Sequence, residues 1–313
     1  MIIGHSHLIT FFEKAIQNGS LSHTYCFAGP EGVGKRAVAR HIAALLLKVD
    51  EAKLEQHPDF YYAARTANEK TGKLNKDFSV DQVRALRSHL GETSWSGGYQ
   101  VAILDDAELL NESSGNALLK VLEEPPEKSV IFLLTDNDQK LLPTIRSRAQ
   151  LFYLNLPSAS ELTAGLIAAG YQKLAVQEAV MAAGFRPGRA IALLRDRETL
   201  AAHLAEVERC RSLVGEPLYT KFKLVDNAFG DKEDAERGRE RLQEILDIWI
   251  NCWREALLQK NQINAGRAWP EGKLAALTGN EMARIIDSFM ETKVLLKRNI
   301  HPRLLIERAI IPL

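Results

Sequence analysis

The eight residues Gly29-Pro30-Glu31-Gly32-Val33-Gly34-Lys35-Arg36 constrain the fold of this chain more than any other feature. They follow the apolar run Thr24–Ala28 (TYCFA) and open a stretch of helical periodicity, Gly34–Leu47. A strand that feeds a helix through such a turn fits the pattern G-x-x-x-x-G-K, in which backbone N–H groups face a β-phosphate and the lysine reaches the β/γ oxygens. The same turn, kept only for helix–strand packing, is the alternative reading. Either way the unit belongs to a parallel sheet wrapped by helices. Two further apolar runs, Val101–Leu104 (VAIL) and Val130–Leu134 (VIFLL), read as buried strands. Between the strands the periodicity predicts helices over Val80–Leu90 and Ser114–Glu123, the second stopped by Pro125-Pro126.

The pattern changes at Pro157. Strand-like runs cease after NLPSAS, where Ser160 is placed to cap a helix, and two short helical segments run to Leu194 with Gly184 and Pro187-Gly188 between them. Beyond Arg195 the chain reads as helical throughout. Leu242, Ile245, Leu246, Trp249, Cys252, Trp253, Ala256 and Leu257 mark one helix face, as core or in part as a surface for partner helices. Asn299 is a capping-type residue ahead of the last helix. The expected division is 1–157, 158–194 and 195–313. A chain of 313 residues, 46% of them hydrophobic, can bury more than one core.

Lysine plus arginine number 40 and aspartate plus glutamate number 40, and neither side of Pro157 is strongly basic, so any nucleic-acid contact is local. Cys26, Cys210 and Cys252 lack the paired spacing of a zinc or disulfide framework. No cationic leader and no apolar run of about 18 residues is present, which leads to the expectation of a soluble cytoplasmic protein without membrane contact.

Several residues bear on chemistry. Arg36 stands where a serine or threonine hydroxyl would ligate magnesium, and a guanidinium cannot coordinate a cation, so the loop is impaired for hydrolysis. Asp105 ends the second strand run, the place of a magnesium-directed carboxylate or of an ordinary strand-end cap. Asp106 is one methylene shorter than the glutamate that would polarise an attacking water, and is expected to sit too far back. Thr135 ends the third run, within reach of a γ-phosphate or a water, or simply as strand-end punctuation. Ser147-Arg148 follows in LLPTIRSRAQ, where the planar guanidinium suits a transferring phosphoryl group and a plain rim arginine is the alternative.

Taken in order, IGH near the start, LSHTYCFAGPEGVGKR, HPDF at His57–Phe60, FSVDQVRAL at Phe78–Leu86, NALLKVLEEPP at Asn116–Pro126, TIRSRAQ at Thr144–Gln150, PGRA at Pro187–Ala190 and NIHPRLLIE at Asn299–Glu307 resemble the clamp-loader branch of the AAA+ family. The resemblance implies an α/β P-loop AAA+ domain over 1–157, a small helical lid over 158–194 and an all-α collar domain over 195–313 that joins five subunits in an open ring. It further implies a stator subunit of a DNA polymerase III sliding-clamp loader that does not itself hydrolyse ATP. Arg148, beside Ser147, would act as an arginine finger in trans, matching the Ser-Arg-Cys motif with Ala149 in place of cysteine. Arg189 of PGRA matches the lid arginine presented toward nucleotide. Gly29, Gly32, Gly34, Lys35, Arg36, Asp105, Asp106, Thr135 and Arg189 would then form a degenerate nucleotide site, compatible with weak binding of ATP or ADP. The partners implied are motor and clamp-opening subunits in a hetero-pentamer, the sliding clamp, and primed DNA through the complex. The alternative within the family is an ATP-hydrolysing motor subunit, against which Arg36 and Asp106 stand. Many relatives insert a four-cysteine zinc module after the loop helix, whereas residues 48–59 hold no cysteine, so neither zinc nor another metal is expected.

Overall fold

The computed structural model describes residues 1–66, 77–226, 235–261, 269, 277–296, 298 and 300–313. They divide into two compact units, Met1–Tyr171 with Phe185–Arg189, and Gln172–Gly184 with Ala190–Leu313. The segment expected as a separate lid, 158–194, is shared between the two.

The first unit runs α1 (Ser6–Asn18), β1 (Thr24–Ala28), α2 (Lys35–Leu47), β2 (Phe60–Ala63), α3 (Val80–Gly91), β3 (Gln100–Leu104), α4 (Glu112–Glu123), β4 (Ser129–Thr135), α5 (Pro143–Arg146), β5 (Gln150–Tyr153) and α6 (Ala159–Ala168). The strands form one parallel sheet in the order β2-β3-β4-β1-β5. Every residue of β1, β3 and β4 is buried, as strands covered by helices on both faces must be, and these are the three that near-continuous apolar runs reveal. The edge strands β2 and β5 are only partly buried, and their mixed sequences FYYA and QLFY carry no such run.

Side-chain alternation sorts the strands onto two cores. Tyr25, Phe27, Phe132 and Leu134 join Phe12 of α1 and Val38 and Ile42 of α2 on one face. Cys26, Ile131 and Leu133 join Val83 and Leu86 of α3, Leu118 and Val121 of α4 and Ile145 of α5 on the other. Phe12 is fully buried, and its ring lies 4.7 Å from Tyr25, 5.8 Å from Phe27 and 5.9 Å from Phe132 between centroids, which fastens α1 to the two central strands.

Helix starts follow local chemistry. Ser79 and Gln82 form a reciprocal capping box on α3, and the Asn111 side chain accepts the Ser114 N–H at the start of α4, two residues ahead of the expected start. The helix after Pro157 is capped by Ser158 rather than Ser160. Only Ser158 lies three residues ahead of Glu161, which completes its capping box.

The second unit contains α7 (Lys173–Ala182), most of α8 (Pro187–Arg195), α9 (Arg197–Ser212), α10 (Leu218–Asp226), α11 (Ala235–Lys260), α12 (Gly279–Leu295) and α13 (Pro302–Ile310). Three helices therefore occupy 158–195 where two segments were expected. The face of α11 from Leu242 to Ala256 is core: Leu242, Ile245, Leu246, Trp249, Cys252, Trp253 and Ala256 are buried, with Leu257 packed against them. Asn299 lies outside the described residues; the cap of α13 is His301, whose ring accepts the Arg303 N–H. Among the described residues no helix is long and apolar enough to cross a membrane.

Asp59, from the HPDF segment, fixes the turn between α3 and β3. It is 2% exposed and accepts from the N–H groups of Trp95 (2.7 Å) and Ser96 (3.0 Å) and the hydroxyls of Ser94 (3.1 Å) and Ser96 (2.8 Å). Burial alone would raise its pKa, and these four donors outweigh it and hold the carboxyl below its ordinary value. A carboxyl with a depressed folded-state pKa contributes stability above its unfolded value and loses it as pH falls through the folded one. Asp59→Asn is therefore expected to cost about 2 kcal/mol at pH 7 in urea melts, with the difference from wild type shrinking below about pH 4. Phe12→Ala, which empties the aromatic cluster, is expected to cost about 3–5 kcal/mol in the same assay without pH dependence.

Candidate functional site

The loop after β1 sits at the carboxyl edge of the sheet, between the ends of β4 and β5. Its first glycine is required by packing: a Cβ on Gly29 would stand 2.4 Å from the Leu154 carbonyl oxygen. Gly32 and Gly34 have φ of +77° and +111°, and Gly34 is the N-cap of α2. The His5 ring, buried beneath the loop, hydrogen-bonds the Val33 carbonyl at 3.2 Å. Desolvation lowers the His5 pKa, which favours the neutral imidazole.

Lys35 begins α2 and is nearly buried. Its Nζ donates to the Gly29 carbonyl at 2.6 Å, to the Pro30 carbonyl at 3.2 Å and to Asp136 Oδ1 at 2.5 Å. Asp136 directly follows β4, and β4 pairs with β1 in a register that sets Thr135 opposite Ala28. Thr135 itself is buried, its hydroxyl accepting the Asn137 N–H (3.1 Å) and its carbonyl accepting the Gly29 N–H (3.1 Å).

Arg36 turns to the end of β3. Its Nε lies 2.7 Å and its Nη2 2.6 Å from Asp105 Oδ2, which also accepts the Tyr62 hydroxyl at 2.8 Å. The guanidinium carbon stands 5.2 Å from the centre of the Tyr62 ring. Burial works against the Arg36 charge, but the Asp105 carboxylate outweighs it and holds the guanidinium pKa above its ordinary value. The Tyr62 hydroxyl is pushed up by burial and by the same carboxylate. Magnesium does not fit this arrangement, because position 36 offers no hydroxyl and the carboxylate that would face the ion is held by a cation of the chain. Asp106 has φ of +56°, and its carboxylate pairs with Arg65 Nε at 3.1 Å.

The PGRA segment meets the loop. Gly188 N–H donates to the Gly32 carbonyl at 2.9 Å, a Cβ on Gly188 would stand 3.3 Å from that oxygen, and the Arg189 backbone nitrogen lies 3.7 Å from the Cβ position of Gly32. Gly29, Gly32, Gly34, Lys35, Arg36, Asp105 and Asp106 are thus gathered at one sheet edge with the Arg189 backbone against them. Ser147 and Arg148 form a separate feature between α5 and β5. The Ser147 hydroxyl donates to the Thr144 carbonyl at 3.1 Å; Arg148 donates to that carbonyl at 3.0 Å and to Glu123 Oε1, at the end of α4, at 2.8 Å. This ion pair is half exposed.

Sequence reasoning passed over His5, Tyr62, Arg65, Glu123 and Asp136. Asp136 was legible in principle, as an acid next to Thr135 at a strand end. Tyr62 lies in, and Arg65 just beyond, an edge strand with no apolar run to mark it.

A family model described as "DNA polymerase III, delta subunit" matches residues 4–158. The DNA polymerase III subunit delta' of Pseudomonas aeruginosa is 38% identical over 153 residues, 44% of this chain and 45% of that protein. Its counterpart from Escherichia coli K12 is 37% identical over 158 residues, 48% of this chain and 45% of that protein. The matched stretch therefore spans less than half the length of these relatives. A gamma subunit-related protein of DNA polymerase III from Thermotoga maritima shares the fold, with a TM-score of 0.53 and 17% identity over 96% of this chain and 97% of that one. Residues 4–158, the parallel α/β part of the chain, thus match the DNA polymerase III delta-subunit family model, and a helical C-terminal region follows them.

Proposed function

We infer that the chain is a delta-prime-type stator subunit of a DNA polymerase III sliding-clamp loader: it does not turn over ATP itself and supplies Arg148 to the ATPase site of a neighbouring subunit. The observation that carries this reading is the contrast between two arginines. Arg36 lies on the carboxylate that an ATPase would turn to magnesium, while Arg148 lies on an exposed loop outside the chain's own site, in a half-exposed pair that solvent already weakens. The similarity to delta' subunits supports the same role.

In this reading the chain works in the cytoplasm with motor and clamp-opening subunits in a hetero-pentamer, and meets the sliding clamp and primed DNA through that complex. Residues 1–157 act as the nucleotide-type domain, 158–194 as a lid and 195–313 as the collar that joins the ring. Arg189 ties the lid to the phosphate-type loop. The motor-subunit alternative requires Asp105 to release Arg36, and the Asp105–Arg36–Tyr62 cluster weighs against it.

Reconstituted complex carrying Arg148→Ala tests the assignment. Hydrolysis at the adjoining site is expected to fall about a thousandfold, as arginine-finger losses do, with the complex still assembled. The melting transition of the isolated chain should move by no more than the roughly 1 kcal/mol of an exposed ion pair. Unchanged hydrolysis in an intact complex would reject the trans role, and collapse of the isolated chain would make Arg148 a structural residue.

A further inference from the structure

Lys35 has three N–H donors, and the structure gives each one an acceptor: the carbonyls of Gly29 at 2.6 Å and Pro30 at 3.2 Å, and the Asp136 carboxylate at 2.5 Å. A phosphate oxygen could reach this ammonium only by displacing one of them. The two carbonyls belong to the turn that carries Lys35, so the displaceable partner is Asp136, the one anion of the three, with a side chain 46% exposed to solvent. Asp105 is likewise complete. Its Oδ2 takes Arg36 and Tyr62, and its Oδ1 accepts the Asp106 N–H at 3.2 Å. Of the neighbouring acids, Asp106 is paired with Arg65, and Glu108 Oε1 lies 3.4 Å from the Asp136 N–H.

We propose that the phosphate-type loop is ligated by its own chain, with the Asp136 carboxylate serving Lys35 as a tethered substitute for a nucleotide phosphate and the Arg36 guanidinium serving Asp105 as a tethered substitute for a divalent cation. Asp136 is then an inhibitory residue of the site, and the ligand it competes with is the diphosphate group of a nucleoside diphosphate. Both substitutes come from fixed places in the fold. Asp136 is the first residue beyond β4, adjacent to β1, and Arg36 is the second residue of α2, facing the end of β3. The pairs balance Lys35 and Asp105 without any bound ion, so the loop keeps its shape whether or not nucleotide is present. Competition with a partly exposed carboxylate is an intramolecular contest of modest strength, which sets the scale of the effect. The inference rests on the proposed function only in treating the loop as one that does not hydrolyse; it does not involve Arg148.

The test is titration calorimetry of the full chain with ADP, in magnesium and in EDTA. Wild type is expected to bind weakly or below detection, with no gain from magnesium. Asp136→Ala should tighten ADP binding about tenfold, or bring it into the measurable range, equally in both buffers. Adding Lys35→Ala should abolish that gain. Adding Arg36→Thr to Asp136→Ala should make binding magnesium-dependent, because Asp105 is then free to face the ion. Asp136→Asn, which keeps the side-chain size and removes the charge, reports the same effect if the alanine variant melts early. Unaltered ADP affinity in a folded Asp136 variant, or wild-type binding strengthened by magnesium, would overturn the proposal. Those outcomes leave the stator reading standing, since that depends on hydrolysis at the neighbour's site in the Arg148→Ala complex.

Discussion

The parallel pairing of β1 with β4 is the contact on which the arrangement of the first unit depends. Five consecutive pairs, from Thr24 opposite Ile131 to Ala28 opposite Thr135, run with both faces buried. Strands covered on both sides have no room for charge along their length, so charge gathers where they end. Because all five strands run the same way, their ends share one edge. Lys35 meets Asp136, and Arg36 meets Asp105, because β1 lies beside β4 and β3 lies on β4's other side. The aromatic cluster around Phe12 maintains that pairing, and the geometry of the charged edge is inherited from it.

The glycines of the loop have two separable explanations. Gly29 is demanded by the Leu154 carbonyl, and Gly188 sits in tight contact with the Gly32 carbonyl, whether or not any phosphate is bound. Gly32 and Gly34 take left-handed conformations that the turn into α2 requires in any case. Retention of the glycine pattern therefore reflects packing within this unit and does not by itself argue for a nucleotide. The charges are the discriminating part. A loop built to take a metal–nucleotide complex leaves its lysine and its strand-end acid facing the ligand, whereas here each faces an opposite charge from the same chain.

What was legible in the sequence follows from burial. The three central strands announce themselves as apolar runs because both their faces are covered, and the helix face from Leu242 to Ala256 reads as core because seven of its apolar residues are core. The edge strands are hidden for the converse reason: Tyr61, Tyr62, Leu151 and Phe152 are only partly covered, and the flanking polar residues mask the pattern. The site was half legible. Arg36 and Asp105 stood out as members of known motifs, but their contact depends on β1 and β3 sharing a neighbour, and nothing local encodes that. Asp136 escaped because strand-end acids are common, and its meaning comes only from the lysine across the edge. The displaced cap shows the same limit on a smaller scale, since Ser158 and Ser160 differ only in which has a glutamate three residues on.

The two ion pairs that bear on function differ in how readily they can be exchanged. Lys35 is 9% exposed and is held by two carbonyls as well as by Asp136, so removing the carboxylate leaves its ammonium anchored and pointing into the same place. Arg148 is 37% exposed and its partner Glu123 is 51% exposed, a setting in which water and salt offset most of the Coulomb attraction. Glu123 also ends a helix whose carbonyl dipoles add negative potential, which draws the guanidinium back toward α4 when nothing else competes for it. A more negative group presented from outside, such as a polyphosphate, outbids a single solvated carboxylate for a planar guanidinium. The Thr144 carbonyl takes the other terminal nitrogen, so the guanidinium rests on one neutral acceptor and one solvated carboxylate. The chain thus holds Lys35 closely and Arg148 on a more exposed pair, and the proposed stator role rests on that difference in tethering rather than on the number of charges.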